Sequence, residues 1–393
     1  MTAATASADE RRYRLGLLPG DGVGVDVIAH TRRVLGAAAD VWRLGLDFDE
    51  IPGGAQYFLE HGRDWPEDAQ QRCIDADAIL LGAIGWPAPD GRSTALRPDG
   101  KMAGWSAIVG NRIGLDLYAN IRPVKLLEGI RHSISGRLTQ VWRPEEVDMV
   151  FIRENTEDLY AGAGGILAPG GEATVAVDTR IITRRSTERV VRLAFETAAD
   201  PDRLRPAGPR RVTCVVKDNI LHGCRMFARI FWEIAEKYPE IEAEVVLVDA
   251  FTQWLVRRPA QYDVVVAPNM FGDIITELAS ALQGGVGMSA GCNVGERHGM
   301  FEPIHGSAPK HVGKDRVNPL AAILAGGLAL DWLGRRRSDR DLLAAAHGIE
   351  SAVRAVARKG ETLTYDLVGE RHASSTSAVA DAVVEEIQAV VAP

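Results

Sequence analysis

The sequence contains little cysteine, and its few cysteines form no metal-binding pattern. Cys73, Cys214, Cys224 and Cys292 include no CxxC pair, and no histidine stands at the spacing of a zinc site. A zinc-stabilised fold therefore has no support in the sequence. We expect reduced thiols and a cytoplasmic location.

Long apolar runs are also lacking. No stretch approaches the roughly eighteen apolar residues that a membrane helix needs, so no membrane span is predicted. The first dozen residues, MTAATASADERR, lack the apolar core of a secretory signal. We expect them to form a loose tail.

Positive charge is in deficit, with 45 Lys and Arg against 53 Asp and Glu and a formal net charge of −8. Neither nucleic acid nor an anionic membrane surface is an expected partner of so acidic a chain. An anionic small-molecule substrate would instead need a local cluster of Arg or Lys that reverses the overall sign.

The dinucleotide-binding fingerprint GxGxxG is missing. The turn LPGDGVG at residues 18–24 follows a predicted strand and precedes a predicted helix, but its spacing is GxGxG. Glycines there let the backbone approach a phosphate or a nucleotide ring, although a plain tight turn explains them equally well. An ordinary Rossmann dehydrogenase is therefore not predicted.

What the sequence does contain is an alternation of strand-like and helix-like segments, typical of layered α/β proteins. Its 393 residues suit two domains. Strands are predicted at residues 13–18, 78–81, 148–153, 212–217, 244–248 and 263–267, and helices at residues 25–38, 186–198, 221–237, 250–257, 272–281 and 319–333. The last helix is apolar on all faces, which predicts burial. Residues 86–104 are rich in Pro, Gly and charge and predict a long loop.

Three arginines stand beside apolar segments. Arg112 and Arg122 flank the sequence GLDLYANI, and Arg153 ends an apolar strand. A buried guanidinium is costly without an anionic partner, and its planar fork binds carboxylates in bidentate fashion. The three arginines fit a substrate with two carboxylates. Ordinary surface ion pairs are the alternative.

Two residues are candidates for proton transfer. Tyr160 ends the polar segment RENTEDLY, and a tyrosine can donate a proton to a carbanion or an enol. A packed aromatic side chain is the alternative. Lys217 begins KDN, where an apolar strand meets a loop. Partial desolvation and nearby cations would favour its neutral amine, which is a usable base.

Three acids are candidate ligands of a divalent cation. Asp249 ends an apolar strand, Asp273 opens a predicted helix, and Glu277 lies one turn further on the same face. Oxygen-only ligands suit Mg²⁺ or Mn²⁺. Asp273 alone is also explained by stabilisation of a helix N-terminus, whereas the three acids together are not.

Together these motifs resemble the β-decarboxylating dehydrogenases, which include 3-isopropylmalate, isocitrate, homoisocitrate and tartrate/D-malate dehydrogenases. LPGDGVG, the arginines around DLYANIRP, RENTEDLY, KDN, NMFGDI and FEPIHGSAP occur in the family's order, from about Leu15 to the C-terminal helix. No single motif is specific, but the ordered set is.

The resemblance implies an isopropylmalate-dehydrogenase-like α/β fold of two domains, distinct from the Rossmann fold, with the active site in the interdomain cleft. The first domain would comprise residues 1–117 plus 284–393 and carry both termini and the cofactor loops. The second would comprise residues 118–283 and carry the dimer interface, the metal ligands and the catalytic residues. It also implies a homodimer in which Lys217 and Asp249 reach the neighbouring subunit's site.

The resemblance further implies an activity and residue roles. A 2-hydroxyacid is oxidised by NAD(P) and then loses CO₂, without a covalent enzyme intermediate. Lys217 would take the hydroxyl proton, and Tyr160 would protonate the enol. The three arginines would hold substrate carboxylates, and the three acids would surround the metal. Near the cofactor it implies Asn219 and Glu302 at the nicotinamide, and His305, Gly306, Ser307, Ala308, Lys310 and Asn318 at the adenosine half.

The substrate's side group is predicted from the segment before Arg112. Family members that recognise isocitrate use a Ser and an Asn there, and this chain has Ser106 and Ile108. A carboxylate facing Ile108, Val109 and Ile220 would be buried without partners, at a cost of several kcal/mol. An alkyl group would gain about 0.8 kcal/mol per buried CH₂. A 3-alkylmalate such as 3-isopropylmalate is therefore predicted, with tartrate or D-malate as the alternative because the bulky Trp105 adjoins.

Two departures from the family concern the cofactor and the metal. NAD-dependent relatives usually have Asp where this chain has Lys310, and NADP-dependent isocitrate dehydrogenases use a Lys, a Tyr and an Arg around the 2′-phosphate. Lys310 and Tyr365 supply two of these, while the arginine position reads Gly369. NADP is thus predicted to be tolerated, with NAD as the alternative. Glu277 occupies a position that the family usually gives to Asp.

A different functional class is a regulatory subunit that binds ligand without turnover. Such a subunit would have lost the base, the acid or the metal ligands. Because Lys217, Tyr160 and the three acids all remain, the sequence predicts an enzyme.

Overall fold

The computed structural model describes residues 12–203 and 210–390, so the predicted N-terminal tail lies outside it but for one residue. Contacts between residues divide the chain into two compact units. Unit 1 comprises residues 12–115, Leu127–Val141 and residues 283–390. Unit 2 comprises Asp116–Leu126 and residues 142–203 and 210–282.

The strands of the described ranges follow the predicted alternation. In chain order they are β1 Arg12–Gly20, β2 Gly45–Glu50, β3 Ala78–Ala83, β4 Ala119–Lys125, β5 His132–Ile134, β6 Arg137–Thr139, β7 Asp148–Glu154, β8 Gly164–Leu167, β9 Val175–Asp178, β10 Arg211–Val216, β11 Glu242–Leu247, β12 Val264–Ala267, β13 Ala290–Val294 and β14 Gly299–Pro303.

The α-helices of the same ranges are α1 Val23–Trp42, α2 Ala55–His61, α3 Ala69–Asp75, α4 Asn111–Gly114, α5 Arg184–Ala199, α6 His222–Ala235, α7 Val248–Arg257, α8 Asn269–Ser280, α9 Leu320–Arg337, α10 Arg340–Lys359, α11 Tyr365–Val368 and α12 Thr376–Ala389. A π-helical segment, Ser106–Gly110, leads into α4. In this part of the chain no helix combines the length and apolar character that a membrane crossing requires.

Every segment predicted as a strand or a helix forms an element of that type, with shifted ends. Residues 86–104 are confirmed as a loop, closed on itself by isolated bridges between Pro87 and Thr94 and between Leu96 and Met102. The α/β class is therefore confirmed. Two shifts concern candidate metal ligands, because Asp249 lies in the first turn of α7 and Asp273 lies one turn inside α8.

In unit 1 the strands are ordered β13-β14-β3-β1-β2. β14, β3, β1 and β2 run parallel, and β13 is antiparallel to β14. The predicted buried helix is confirmed as α9, which packs on α1, α10, β3 and β14 and has Pro319 at its N-cap. The glycine turn after β1 and the loop after β3 leave the sheet at neighbouring carboxyl ends, since Gly20 pairs with Ala83.

In unit 2 the strands are ordered β11-β10-β12-β7-β4. The first four are parallel and β4 is antiparallel to β7. The carboxyl ends of the parallel strands therefore lie along one edge of the sheet. Arg153, Lys217, Asp249 and the start of α8 all lie at this edge, where open α/β sheets usually bind ligands.

Leu127–Val141, which was predicted to belong to the second domain, lies in unit 1. The backbone at Gly129 touches that of Ala357 so closely that a Cβ would lie 2.2 Å from the Ala357 carbonyl oxygen. Ile130 is buried and lies against Gly284. These contacts place the β5–β6 hairpin with unit 1, so the chain enters unit 2 twice.

Candidate active site

Arg122, on β4 of unit 2, is held by three polar neighbours. Its Nε donates to Asn120 Oδ1 at 2.8 Å and its Nη1 donates to Thr276 Oγ1 at 2.6 Å. Its Nη2 lies 3.5 Å from Asp273 Oδ1. The residue is only 7% exposed, so it is not a surface ion pair.

Arg153 points at the same carboxylate from the end of β7. Its Nη1 donates to Asp273, and its Nε donates to Asn269 Oδ1 at 2.9 Å. Gly272 makes this approach possible, because a Cβ there would lie 2.6 Å from Arg153 Cγ. Since Arg153 is also buried, two desolvated guanidinium groups converge on one acid of α8.

Tyr160 completes this group of side chains. It lies in a short helical turn, Leu159–Ala161, whose N-cap is Asp158. Its hydroxyl donates to Asp273 Oδ2 at 3.1 Å, and its ring lies 5.5 Å from the Arg153 guanidinium. Burial and the charge of Asp273 raise the pKa of Tyr160, so the hydroxyl keeps its proton. Because Tyr160 is 43% exposed and binds a carboxylate, it is not the packed aromatic of the alternative interpretation.

Glu277 adds a second carboxylate one turn after Asp273. Its Oε1 lies 4.0 Å from Arg122 Nη1, and half of its side chain is exposed. Burial raises the pKa of Glu277, Arg122 opposes that effect, and the charge of Asp273 adds to it. The predicted shared helix face is thus observed. Asp273 is not at the helix N-terminus, so stabilisation of that terminus does not explain it.

Lys217 and Asp249 form a separate pair at the same sheet edge. Lys217 Nζ donates to Asp249 Oδ1 at 2.7 Å, and this hydrogen bond lowers the pKa of Asp249. The charged neighbour of Lys217 is therefore an acid and not the cation that sequence reasoning expected. Most of the Asp249 side chain is exposed. Asn219 is exposed, and Ile220 is 63% exposed.

The acids fit a hard divalent cation by their chemistry, because they offer carboxylate oxygens alone. Within residues 12–203 and 210–390, however, no group of three or more His, Cys, Asp or Glu is close enough to hold a metal ion. Asp273 and Glu277 lie together, whereas Asp249 stands apart with Lys217. One chain thus gathers two of the three predicted ligands.

Arg112, the third candidate for substrate carboxylates, lies in unit 1 on α4. Its Nη2 donates to Glu302 Oε1 at 3.2 Å, and the same oxygen accepts a hydrogen bond from Asn293 at 2.8 Å. The Arg112 Nε is buried and has no partner among the described residues. A buried N–H of this kind is costly unless a ligand satisfies it, which fits an anion at this arginine.

The glycine turn at residues 18–24 packs closely against the backbone at Ser307. Gly22 has a φ of 60°, and a Cβ there would lie 2.1 Å from the Ser307 carbonyl oxygen. The same oxygen accepts a hydrogen bond from Val23 N at 2.9 Å, and Ser307 Oγ donates to Gly85 O at 2.5 Å. The turn therefore holds the predicted cofactor loop in place, as a plain tight turn would.

The predicted adenosine loop shows one feature that fits a cofactor. His305 Nε2 is buried without a partner among the described residues, and burial lowers the pKa of His305. Gly306 and Lys310 are exposed, and Ala308 adopts a left-handed conformation with a φ of 39°. A neutral imidazole with an open nitrogen suits an adenine or a ribose better than a phosphate.

Asn318 is committed to the fold. Its amide donates to Asp366 Oδ2 at 3.0 Å, and its oxygen accepts a hydrogen bond from Leu320 N, the first residue of α9, at 3.0 Å. The amide nitrogen also lies 3.7 Å from Met288 Sδ. The predicted contact of Asn318 with adenosine would have to share these hydrogen bonds.

Tyr365 lies between two basic side chains. The Arg316 guanidinium stacks 4.2 Å from the centre of its ring, and His311 Nε2 lies 3.5 Å from its hydroxyl. Arg316 also pairs with Glu370 at 2.6 Å. Sequence reasoning noted Gly369 in place of an arginine and did not consider Arg316, which is far from Tyr365 along the chain.

The segment that precedes Arg112 is anchored by a residue that sequence reasoning missed. Asp64 is buried and accepts hydrogen bonds from both the backbone and the hydroxyl of Ser106. Ile108 and Val109 are partly buried, and Trp105 lies beneath Lys101 Nζ at 5.2 Å. Nothing in the sequence around Asp64, which lies in the polar stretch HGRD at residues 61–64, indicates a contact with a segment about forty residues further along the chain.

Comparison with known proteins identifies the family. A family model described as isocitrate/isopropylmalate dehydrogenase matches residues 14–383. The 3-isopropylmalate dehydrogenase of Thermobifida fusca (strain YX) is 38% identical over 328 residues, which cover 82% of this chain and 87% of that protein. The D-malate dehydrogenase (decarboxylating) of Escherichia coli (strain K12) is 34% identical over 388 residues, which cover 96% and 99%.

A solved structure shows the same fold. The crystal structure of isocitrate dehydrogenase from Methylococcus capsulatus matches with a TM-score of 0.80 and 32% sequence identity, covering 96% of this chain and 99% of that chain. The predicted family and fold are therefore confirmed. This chain belongs to the isocitrate/isopropylmalate dehydrogenase family of β-decarboxylating, NAD(P)-dependent enzymes.

Proposed function

We propose that the enzyme oxidises and decarboxylates a 3-alkylmalate such as 3-isopropylmalate. The observation that carries this proposal is the convergence of Arg122, Arg153 and Tyr160 on Asp273. Two buried guanidinium groups suit carboxylates, and a hydroxyl that keeps its proton beside them suits protonation of a carbon after CO₂ leaves. Arg112, with its unpartnered Nε, is the third guanidinium for substrate carboxylates.

Each step has a residue for its proton. A divalent cation held by the candidate acids would make the substrate hydroxyl more acidic, and a bound NAD(P) would accept the hydride from the carbon that carries this hydroxyl. Lys217 takes the hydroxyl proton, which leaves a β-keto acid. After CO₂ departs, Tyr160 gives its phenolic proton to the carbon, and solvent restores it. Asp273 and Glu277 would hold the cation, with Asp249 as a further ligand.

We also propose a homodimer that shares its active sites, which would bring Lys217 and Asp249 of one chain to the acids of the other. The exposed pair they form within one chain supports this. So does the β8–β9 hairpin, which forms a sheet of its own and exposes Ile166, Leu167 and Val177. An isolated hairpin with apolar side chains in water is marginally stable, so a partner surface is expected to cover it.

The substrate ranking tests the proposed activity. We expect kcat/KM for 3-isopropylmalate to exceed that for isocitrate, because Ile108 and Val109 offer no side-chain donor to a third carboxylate. Initial rates with 3-isopropylmalate, isocitrate, D-malate and tartrate at saturating cofactor measure this. Isocitrate as the best substrate would contradict the proposal.

D-malate is the second candidate. The observation that favours it is the position of Trp105, which lies beneath Lys101 at the start of the π-helical segment. Its bulky indole would leave less room beside Ile108 and Val109 for a large alkyl group on the substrate. If Trp105→Ala raises kcat/KM for 3-isopropylmalate and leaves that for D-malate unchanged, the indole limits the size of the side group. A Trp232→Ala variant, which removes a 46% exposed indole on α6, serves as the control for loss of an indole away from this segment.

For the cofactor we propose that NADP is accepted and favoured over NAD. Lys310 is exposed at the predicted position for the 2′-phosphate, and Arg316 and His311 flank Tyr365. A charged hydrogen bond to a phosphate contributes roughly 1.5–3 kcal/mol, and solvent exposure reduces it. NADP-dependent isocitrate dehydrogenases have an arginine at the position of Gly369. In this chain Arg316 would supply that positive charge instead.

Two charge changes test the cofactor proposal. Lys310→Asp should shift the ratio of kcat/KM values from NADP towards NAD about tenfold, since it replaces an attractive charge by a repulsive one. Arg316→Ala should weaken NADP binding, measured by titration calorimetry, and should leave NAD binding unchanged. Lys314→Asp, which changes an exposed charge four residues away, is the control. A strong wild-type preference for NAD that Lys310→Asp leaves in place would refute the proposal.

We further propose a cytoplasmic location. All four cysteines are buried and free, with none in a disulfide, which agrees with a reducing compartment.

A further inference from the structure

Asp64 is a buried acid whose carboxylate accepts four hydrogen bonds, all from Arg97, Gly104 and Ser106. Its Oδ1 accepts from Gly104 N at 2.9 Å. Its Oδ2 accepts from Ser106 N at 2.9 Å, from Ser106 Oγ at 2.7 Å and from Arg97 Nη1 at 2.8 Å. Only 1% of its side chain is exposed. One carboxylate thus fixes the start of the segment Ser106–Gly110.

This arrangement uses the single hydroxyl proton of Ser106. A serine has one O–H donor, and here that donor points to Asp64. The hydroxyl oxygen lies 3.4 Å from Arg97 Nη1, so its acceptor side also has a neighbour. The rest of the segment, Ala107, Ile108, Val109 and Gly110, has no polar side chain. No side-chain donor of the segment is left for a ligand.

The hydrogen bonds to Asp64 explain how a buried acid is kept charged, and those from Ser106 contribute most. Burial alone raises the pKa of Asp64, but the hydrogen bonds from Ser106, Gly104 and Arg97 outweigh it and lower that pKa below its ordinary value. Arg97 comes from the long loop at residues 86–104 and also pairs with Asp99 at 3.1 Å. The loop at residues 86–104 therefore provides Arg97 as the positively charged partner of Asp64.

The loop is packed firmly enough for this task. Ala95 and Ala103 are buried against Ala55 of α2, and Phe58 and Trp86 pack around them. The backbone of Ala103 donates to Ala95 O at 2.9 Å, which closes the loop across Arg97. Arg97 is consequently held over Asp64 by a small apolar cluster of its own.

We propose that Asp64 is a specificity-determining residue that withholds the Ser106 hydroxyl from the substrate and thereby excludes substrates with a third carboxylate. The inference rests on the proposed function, in which Ile108 and Val109 face the substrate's side group. A hydroxyl that faces a carboxylate of the protein cannot donate to a carboxylate of the substrate. Asp64 itself contacts no substrate in this scheme and acts through Ser106.

The test releases the hydroxyl and then removes it. Full-length Asp64→Ala, Ser106→Ala and the double variant are compared with wild type for kcat/KM of isocitrate and of 3-isopropylmalate. The inhibition constant of isocitrate against 3-isopropylmalate is measured as well, so that binding is seen without turnover. Asp99→Asn, which removes the other partner of Arg97, is the matched control.

We expect Asp64→Ala to raise the isocitrate to 3-isopropylmalate ratio roughly tenfold and to lower the inhibition constant of isocitrate, because a freed hydroxyl gains a charged acceptor. The gain should vanish in the double variant. Ser106→Ala alone should leave the ratio within about twofold, as should Asp99→Asn.

Several results would overturn the inference: an unchanged ratio in Asp64→Ala, a gain that survives in the double variant, or a large change of ratio in Ser106→Ala alone. Thermal unfolding shows whether Asp64→Ala folds, and if it does not, Ser106→Ala decides by itself. A wild-type enzyme that prefers isocitrate would contradict the proposed function. The unexpected variant ratios described above would contradict only the role of Asp64.

Discussion

At the scale of single residues, Asp273 balances the charge of the candidate site. Its two oxygens face Arg122, Arg153 and the Tyr160 hydroxyl, while Glu277 lies within 4.0 Å of Arg122. Two guanidinium groups and two carboxylates therefore cancel before any ligand enters. A dianionic substrate and a divalent cation entering together would preserve that balance, whereas either alone would not.

Lys217 and Tyr160 are expected to serve different steps. Lys217→Ala should abolish oxidation of the hydroxyacid, at a cost of ~10²-fold or more, because it removes the base. Tyr160→Phe should retain reduction of the β-keto intermediate and slow the complete reaction, since only the last protonation is lost. The two half-reactions are followed separately by cofactor absorbance.

Tyr57→Phe, which removes the hydroxyl of a tyrosine in unit 1, away from Tyr160 in unit 2, is the control for the loss of a hydroxyl. If both variants lose the reduction and the full reaction equally, the assignment of separate roles fails.

The residues of the site were predicted to different degrees. Buried arginines were foreseen because charges beside apolar strands are conspicuous in the sequence. Their neutral partners, Asn120, Asn269 and Thr276, were not foreseen, although the two on α8 lie on the face of Asp273 and helical spacing predicts that. Asp64 gave no signal, since its partner Ser106 is 42 residues away.

At the scale of elements, helix α8 gathers the site. Asn269, Asp273, Thr276 and Glu277 lie on one of its faces, and Gly272 lets Arg153 pack against it. The helix begins directly after β12, so its position is fixed by the sheet. A substitution on this face of α8 therefore alters the contacts of both Arg122 and Arg153.

We expect activity to require a divalent cation. Chelation should remove turnover and Mg²⁺ or Mn²⁺ should restore it, because the acids of α8 are oxygen ligands. Glu277→Asp shortens one ligand and should raise the metal concentration needed for half-maximal activity, as read from a titration of chelated enzyme.

Glu196→Asp, on the exposed side of α5, is the control for that titration. Full turnover in metal-free enzyme would show that α8 holds no catalytic cation.

Periodicity predicted most of the strands that are buried on both faces and several of the helices that follow them, and it missed other elements. β4 was missed because Pro123 interrupts it, and proline normally argues against a strand inside a sheet. It is tolerated where it pairs with Val150 in an antiparallel ladder, in which not every residue donates to its neighbour. β13 and β14, AGCNV and GMFEP, are too short and mixed to show a period.

At the scale of the whole molecule, the proposed sharing of active sites within a homodimer predicts complementation between inactive chains. Lys217→Ala and Asp273→Asn should each be inactive as homodimers. If Lys217 serves the partner's site, a heterodimer of the two contains one intact site, and a random mixture should recover roughly a quarter of wild-type activity. Co-expression with two different tags allows the heterodimer to be purified, and this pure heterodimer should have about half of wild-type activity.

The separate homodimers are the controls, and analytical ultracentrifugation confirms the oligomeric state. A heterodimer without activity would place Lys217 and Asp273 of one chain in the same site. The interdomain position of the active site stays a prediction from the family resemblance.

The order of the strands in unit 1 has a consequence for synthesis on the ribosome. β3, whose six residues are all buried, pairs with β14, and the paired residues Ile79 and Met300 are about 220 positions apart. Translation adds roughly 5–20 residues per second, so β14 is synthesised on the order of 10–40 s after β3. One edge of β3 has no partner strand during that time. The nascent chain thus carries an open apolar edge for most of its synthesis, and that edge is where a holding chaperone would be needed.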